Sequence, residues 1–270
     1  HRGAYVAISG GVGEMYLACP PPSAPIVGAV LVIHDIFGPR VGRHAEICDE
    51  LASAGFYAAC PDLFGDAESR AAANLMPRWP IKSLRNICGL LCCCKTSFLK
   101  RAMRTSWEES VAPLLALVIS QVEARHSKGP LRWGAVGFCW GAVPVAHLLQ
   151  EGAVPAVGCG MAFHPSLRGA KAAALCAGGA RPLLLCQCGD DPQDVQPGGA
   201  LAEPLARAFG AGCAWTAGFA PSRPFPEMLH GFMPRGPLEE PAIARDYAEG
   251  VQLMRRFFAA HAFAEAQFAD

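Results

Sequence analysis

The chain is predicted to fold as a doubly wound α/β sheet, mostly parallel, with helices on both faces. Two observations lead there. Short, nearly continuous apolar runs, as expected of parallel strands covered on both sides, alternate with segments whose apolar residues recur at helical spacing. No internal repeat and no break in composition interrupts that alternation. With 270 residues and 52% hydrophobic content the chain can bury a full core, and residues 1–270 are read as a single domain.

The elements follow in order. The lead-in carries a short strand pair, Tyr5–Ser9 and Glu14–Ala18, around Gly10-Gly11. Pro20, Pro21, Pro22 and Pro25 then hold an extended connection to Ile26–Ile33, the first strongly apolar strand. It runs into His34-Asp35-Ile36-Phe37-Gly38, a strand-end loop of the kind that carries ligand chemistry in open α/β sheets. Arg43–Ala54 is an amphipathic helix closed by Gly55, and Phe56–Cys60 a second buried strand. Residues 66–106 are irregular, with Pro77, Pro80, the triplet Cys92-Cys93-Cys94 and a basic set of Lys82, Arg85, Lys95, Lys100, Arg101 and Arg104. Such an insertion reads equally as a cap or lid over the site and as a surface excursion. A long helix over Trp107–His126 has Glu108 and Glu109 in its first turn, where the helix dipole favours them. Leu131–Val136 is a strand and Trp140–Gln150 a helix. Strands at Ala156–Ala162 and Pro182–Cys188 come next, then a helix near Leu201–Phe209 and a weaker strand at Ala214–Phe219. The last loop holds Leu229-His230-Gly231-Phe232, and a helix from Pro241 to His261 closes the chain with one apolar stripe.

Composition excludes several functions. Lys and Arg number 23 against 23 Asp and Glu, so the net positive field needed for general nucleic-acid or anionic-membrane binding is missing. No apolar run reaches membrane-spanning length. Thirteen cysteines, some in buried strands (Cys159, Cys186) and some adjacent, point to free thiols in a reducing compartment. The cytoplasm is the expected location, or an organelle if a targeting segment once preceded His1. Neither the cysteine triplet nor Cys186-x-Cys188 has zinc-site spacing, so no metal is expected.

The chemistry centres on Gly137-Phe138-Cys139-Trp140-Gly141, which has the G-x-nucleophile-x-G form of a nucleophile elbow in a strand-turn-helix context. Side chains two residues either side of such a turn would meet backbone, so glycine stands there. A cysteine nucleophile needs a base, and the base an orienting acid. In α/β-hydrolases these follow as an acid after a later strand and a histidine in a late loop. Asp190, Asp191 and Asp194 all lie after the Pro182–Cys188 strand. Asp191 is preferred, because one residue after Gly189 lets the chain turn and Pro192 then fixes the turn. His230 is the expected base.

Together with Asp35-Ile36-Phe37-Gly38, Phe163-His164-Pro165-Ser166 and His230-Gly231-Phe232, the elbow resembles the dienelactone hydrolase family, closer to its eukaryotic, carboxymethylenebutenolidase-like branch. The resemblance implies an α/β-hydrolase fold and a cofactor-independent enzyme with a Cys139-Asp191-His230 triad. Its substrate would be a small ester or lactone. It also implies that Asp35 gates ionisation of the thiol, that the Ile36 and Trp140 N–H groups form the oxyanion hole, and that Arg235 holds a substrate carboxylate. The Phe163–Ser166 block is read as a structural turn. The alternative reading is a non-catalytic module of the same fold that binds an anionic partner through its basic lid.

Overall fold

The computed structural model describes residues 3–65, 79–80, 102, 104–127, 129–150, 152, 157–178, 181–196, 199–201 and 225–262. Its centre is one seven-stranded sheet in the order β1-β2-β4-β3-β5-β6-β7. The strands are Ala4–Ala7 (β1), Glu14–Ala18 (β2), Gly28–Ile33 (β3), Phe56–Pro61 (β4), Trp133–Phe138 (β5), Val157–Phe163 (β6) and Leu183–Cys186 (β7). β1 and β2 pair antiparallel and β2 runs antiparallel to β4; from β4 across to β7 every pairing is parallel.

β3 shows how the apolar runs divide between two cores. Ala29, Leu31 and Ile33 pack on one face with Leu115 and Val118 of helix Ala112–Glu123 (α2) and with Val145 and Leu148 of helix Ala142–Leu148 (α3). Val30 and Val32 pack on the other with Ile47 and Leu51 of helix His44–Ser53 (α1) and with Phe257 and Phe258 of the closing helix Pro241–Ala262. Helix Gly169–Ala177 (α4) adds Ala172 to the first face. Both faces are thus covered, and the loops that carry the candidate residues Asp35, Cys139 and Asp191 follow the carboxyl ends of β3, β5 and β7.

Several expected bounds shift by one or two residues, β3 beginning at Gly28 and β6 running Val157–Phe163, and three changes are informative. β5 extends to Phe138, because Gly137 and Phe138 are held in a parallel ladder by Ala162 and Phe163. β7 begins only after Pro182, which has no N–H to give the ladder; beyond it an isolated bridge joins Cys188 to Phe225. The single helix expected over Trp107–His126 opens as a wide turn, Trp107–Val111, before α2. The Val111 N–H reaches back to the Ser106 carbonyl at 3.1 Å, and Pro113, lacking a donor, leaves the first regular turn incomplete. Most of the 66–106 insertion, with its cysteine triplet and every basic residue but Arg104, lies outside the described residues. So do residues 202–209 of the expected helix and the whole Ala214–Phe219 strand. Among the described residues Cys19, Cys48, Cys60, Cys139, Cys159, Cys186 and Cys188 are free thiols, and no helix is long and apolar enough to cross a membrane.

Candidate active site

β5 delivers Cys139 into a 3-10 turn, Cys139–Gly141, that continues as α3. The φ of Cys139 is 54°, in the left-handed region that side chains rarely occupy, and such strain costs about 1–3 kcal/mol. Close fit holds it there. A Cβ on Gly137 would overlap the Gly141 carbonyl, and one on Gly141 would lie 2.5 Å from the Ile33 carbonyl oxygen and 2.8 Å from that of His34. The two glycines let three backbones touch. The Cys139 carbonyl accepts the Ser166 N–H at 3.0 Å, and Cys139 Sγ lies 3.2 Å from Ser166 Oγ.

The expected base, His230, is held by hydrogen bonds. His230 Nδ1 lies 2.6 Å from Asp191 Oδ1, and the other Asp191 oxygen accepts the Cys188 N–H at 2.7 Å. Asp190 accepts the backbone N–H of His230 at 2.7 Å, whereas Asp194 accepts the Gly169 N–H at 2.8 Å. Of the three candidate acids, then, Asp191 meets the ring, Asp190 the backbone and Asp194 a different element. The Trp79 indole N–H donates to the His230 carbonyl at 3.1 Å.

Burial opposes charge on both Cys139 and His230, yet each favours the ionised form of the other. The thiol's pKa is lowered on balance, because the charge and hydrogen bond of His230, with help from Ser166, outweigh burial and the opposing charge of Asp35. His230 is pushed up to about 10 against its burial, by Cys139 and by Asp191. Both shifts favour a thiolate–imidazolium pair.

The Asp35 loop shares a wall with the elbow, since Gly141 rests on the Ile33 and His34 carbonyls. Asp35 is fully buried. One of its oxygens accepts the Phe37 N–H at 2.9 Å, and the other lies 3.3 Å from Arg235 Nε. Burial raises the Asp35 pKa by more than Arg235 and the Phe37 N–H lower it. The Arg235 guanidinium also stacks 4.6 Å over the Phe37 ring, so the structure places the expected carboxylate-binding arginine on Asp35. His164 is buried with a φ of 38°, its ring 4.9 Å from that of His230. Burial and the charges of His230 and Arg235 push its pKa well down. Ser166, read from the sequence as part of a structural turn, touches the sulfur. No sequence signal marks it; its approach follows from the β5–β6 pairing of Phe138 with Phe163, which sets residues after β6 beside those after β5. Among the described residues no group of three His, Cys, Asp or Glu side chains could hold a metal ion.

A family model described as the dienelactone hydrolase family matches residues 14–262. The chain belongs to that family. A carboxymethylenebutenolidase homolog from Xenopus tropicalis is 26% identical over 140 residues, covering 52% of this chain and 47% of that protein. The hydrolase tropI from Talaromyces stipitatus is 26% identical over 156 residues, covering 57% of this chain and 53% of that protein. The aligned region thus spans about half the length of these curated relatives. Among solved structures, a candidate dienelactone hydrolase from Klebsiella pneumoniae superposes with a TM-score of 0.62 at 22% identity, covering 95% of this chain and 98% of that one. That likeness establishes the α/β-hydrolase fold for this member of the dienelactone hydrolase family.

Proposed function

We propose that the chain is a cysteine-dependent hydrolase of small esters or lactones that works through a Cys139-Asp191-His230 triad and a thioester intermediate. The observation that carries the reading is a strained Cys139, its ionisation favoured, facing a histidine whose far nitrogen is 2.6 Å from a buried carboxylate. In this reading the Cys139 thiolate attacks the substrate carbonyl carbon. The electron pair displaced onto oxygen is held by the Ile36 and Trp140 N–H groups, each such donor being worth about 3 kcal/mol of barrier. Collapse expels the alkoxide, which takes its proton from the His230 imidazolium and leaves an acyl thioester. Neutral His230 then draws a proton from water, whose oxygen attacks the thioester and frees the acid. Ser166 Oγ–H donates to the resting thiolate. The Asp35 charge opposes that ionisation, raising the thiol's pKa. A substrate carboxylate at Arg235 would compete with Asp35 for the guanidinium.

The test is hydrolysis of p-nitrophenyl acetate, a dienelactone and a cyclic carbonate ester by the parent and by Cys139→Ala. Turnover by the parent, lost in the variant without change in melting temperature, is the expected result. Equal turnover by both would exclude Cys139 as nucleophile. No turnover by a parent whose Cys139 is readily alkylated would move the fold to the binding-module reading.

A further inference from the structure

We propose that His34 is a positioning residue: it grips the Asp35 carbonyl and thereby aims the N–H at the other end of the same peptide unit, that of Ile36, into the site. The inference rests on the hydrolase reading above. His34 is fully buried immediately after β3. The Leu63 N–H donates to its Nε2 at 3.1 Å. Because a backbone N–H can only donate, Nε2 carries no proton, and the single ring proton sits on Nδ1. Nδ1 lies 2.7 Å from the Asp35 carbonyl oxygen and donates to it.

A trans peptide is planar, and its C=O and N–H point in opposite directions. With the Asp35 oxygen turned to His34, the Ile36 N–H is turned away from it. The rest of the loop agrees with that assignment. The Phe37 N–H goes to the Asp35 side chain at 2.9 Å, and the Gly38 N–H to the Asp35 carbonyl at 3.2 Å. Among the described residues the Ile36 N–H has no partner. The imidazole also stacks on Trp140, with ring centroids 6.0 Å apart and planes 23° apart. One ring therefore touches the carbonyl of the peptide unit that carries the Ile36 N–H and the side chain of Trp140, the residue that carries the other assigned donor. Phe64 closes its remaining side with ring centroids at 4.8 Å. Burial holds His34 neutral, with its pKa pulled down to about 4, so Nε2 stays free to accept the Leu63 N–H at working pH.

The experiment compares the parent with His34→Asn, which presents an amide N–H where Nδ1 stood, and with His34→Leu, of similar size and no donor. For each, kcat and KM on p-nitrophenyl acetate are measured beside the rate of Cys139 alkylation by iodoacetamide across pH. Leu is expected to lose about a hundredfold or more in kcat, the cost of removing one oxyanion donor, with KM and the alkylation profile near those of the parent. Asn is expected to recover at least about tenfold of that loss. Equal impairment of Asn and Leu, unfolding included, would overturn the proposal, as would a Leu variant whose alkylation falls along with its hydrolysis. Failure of the hydrolase reading itself shows earlier and separately, as a parent that is alkylated but does not hydrolyse.

Discussion

Four histidines surround the candidate site, and the molecule treats those on its two sides in opposite ways. On the Cys139 side His34, His44 and His164 are fully buried, and burial pushes their pKa values down, to about 4 for the first two. On the Asp191 side His230 is raised to about 10 because a thiol and a carboxylate face it. The same contrast runs through the backbone. Cys139 is fixed chiefly by steric fit at Gly137 and Gly141, with one backbone hydrogen bond from Ser166; His230 is fixed by charge and hydrogen bonds, through Asp190, Asp191 and Trp79. One side is built by shape and keeps its histidines neutral, while the other favours charge on its histidine. The first should be intolerant of added atoms, and the second of lost ones.

The largest effect expected is on the charged side. Asp191→Asn keeps the volume and removes the charge that raises His230, so turnover should fall by roughly 10³–10⁴-fold, the cost of the same change in a serine triad. The melting temperature should change little. The thiol would lose part of its counter-cation, so the midpoint of Cys139 alkylation should move to higher pH; an unmoved midpoint would contradict the coupling.

Acid should find the other side. His34 and His44 stay neutral in the folded protein down to about pH 4 and protonate near 6.5 when unfolded. Between those values the unfolded state binds more protons. Stability is therefore whole above about 6.5 and is lost as pH falls toward 4, by at most roughly 1.4 kcal/mol per pH unit for each histidine. Denaturant midpoints measured from pH 7 to 4 would show the decline, and a flat curve would refute it.

These two sides were not equally legible in the sequence. The elbow was, because a pair of glycines flanking a cysteine is a steric device written in adjacent residues. The acid was only partly so. Asp190, Asp191 and Asp194 all follow β7, and which of them meets the His230 ring depends on how the chain turns after Cys188. Ser166 was opaque, since its approach to Cys139 comes from parallel pairing of β5 with β6, a contact that local pattern does not encode. The break before α2 was missed for a simpler reason. Apolar spacing runs unbroken through Trp107–His126, and the effect of Pro113 is to widen the preceding turn without ending the helical path. The sheet itself was legible because strands covered on both faces read as plain apolar runs.

Gly141→Ala probes shape alone. Its new methyl meets the Ile33 and His34 carbonyls, for an expected loss of about 1–3 kcal/mol that high salt leaves unchanged. A salt-dependent loss in thermal melts would blur the division between the two sides. Ser166→Ala is the smallest change and sits where the sides meet. Removing one hydrogen bond to the sulfur should raise the alkylation midpoint by about half to one pH unit, equivalent to about 1 kcal/mol, with turnover reduced severalfold.

The pairing of β3 also sets an order in time. Ala29 meets Tyr57 on one side and Trp133 on the other, so the first junction can close soon after synthesis, whereas the second must wait for a far longer stretch of chain. Closing so distant a contact is the slow step in parallel sheets. Until it closes, the loop after β3 has no elbow to meet. Cys139, away from its histidine and its strained turn, is an ordinary thiol. A nascent chain of this kind emerges chemically quiet, and its Cys139 thiol meets the groups that lower its pKa only when the middle of the sheet is shut.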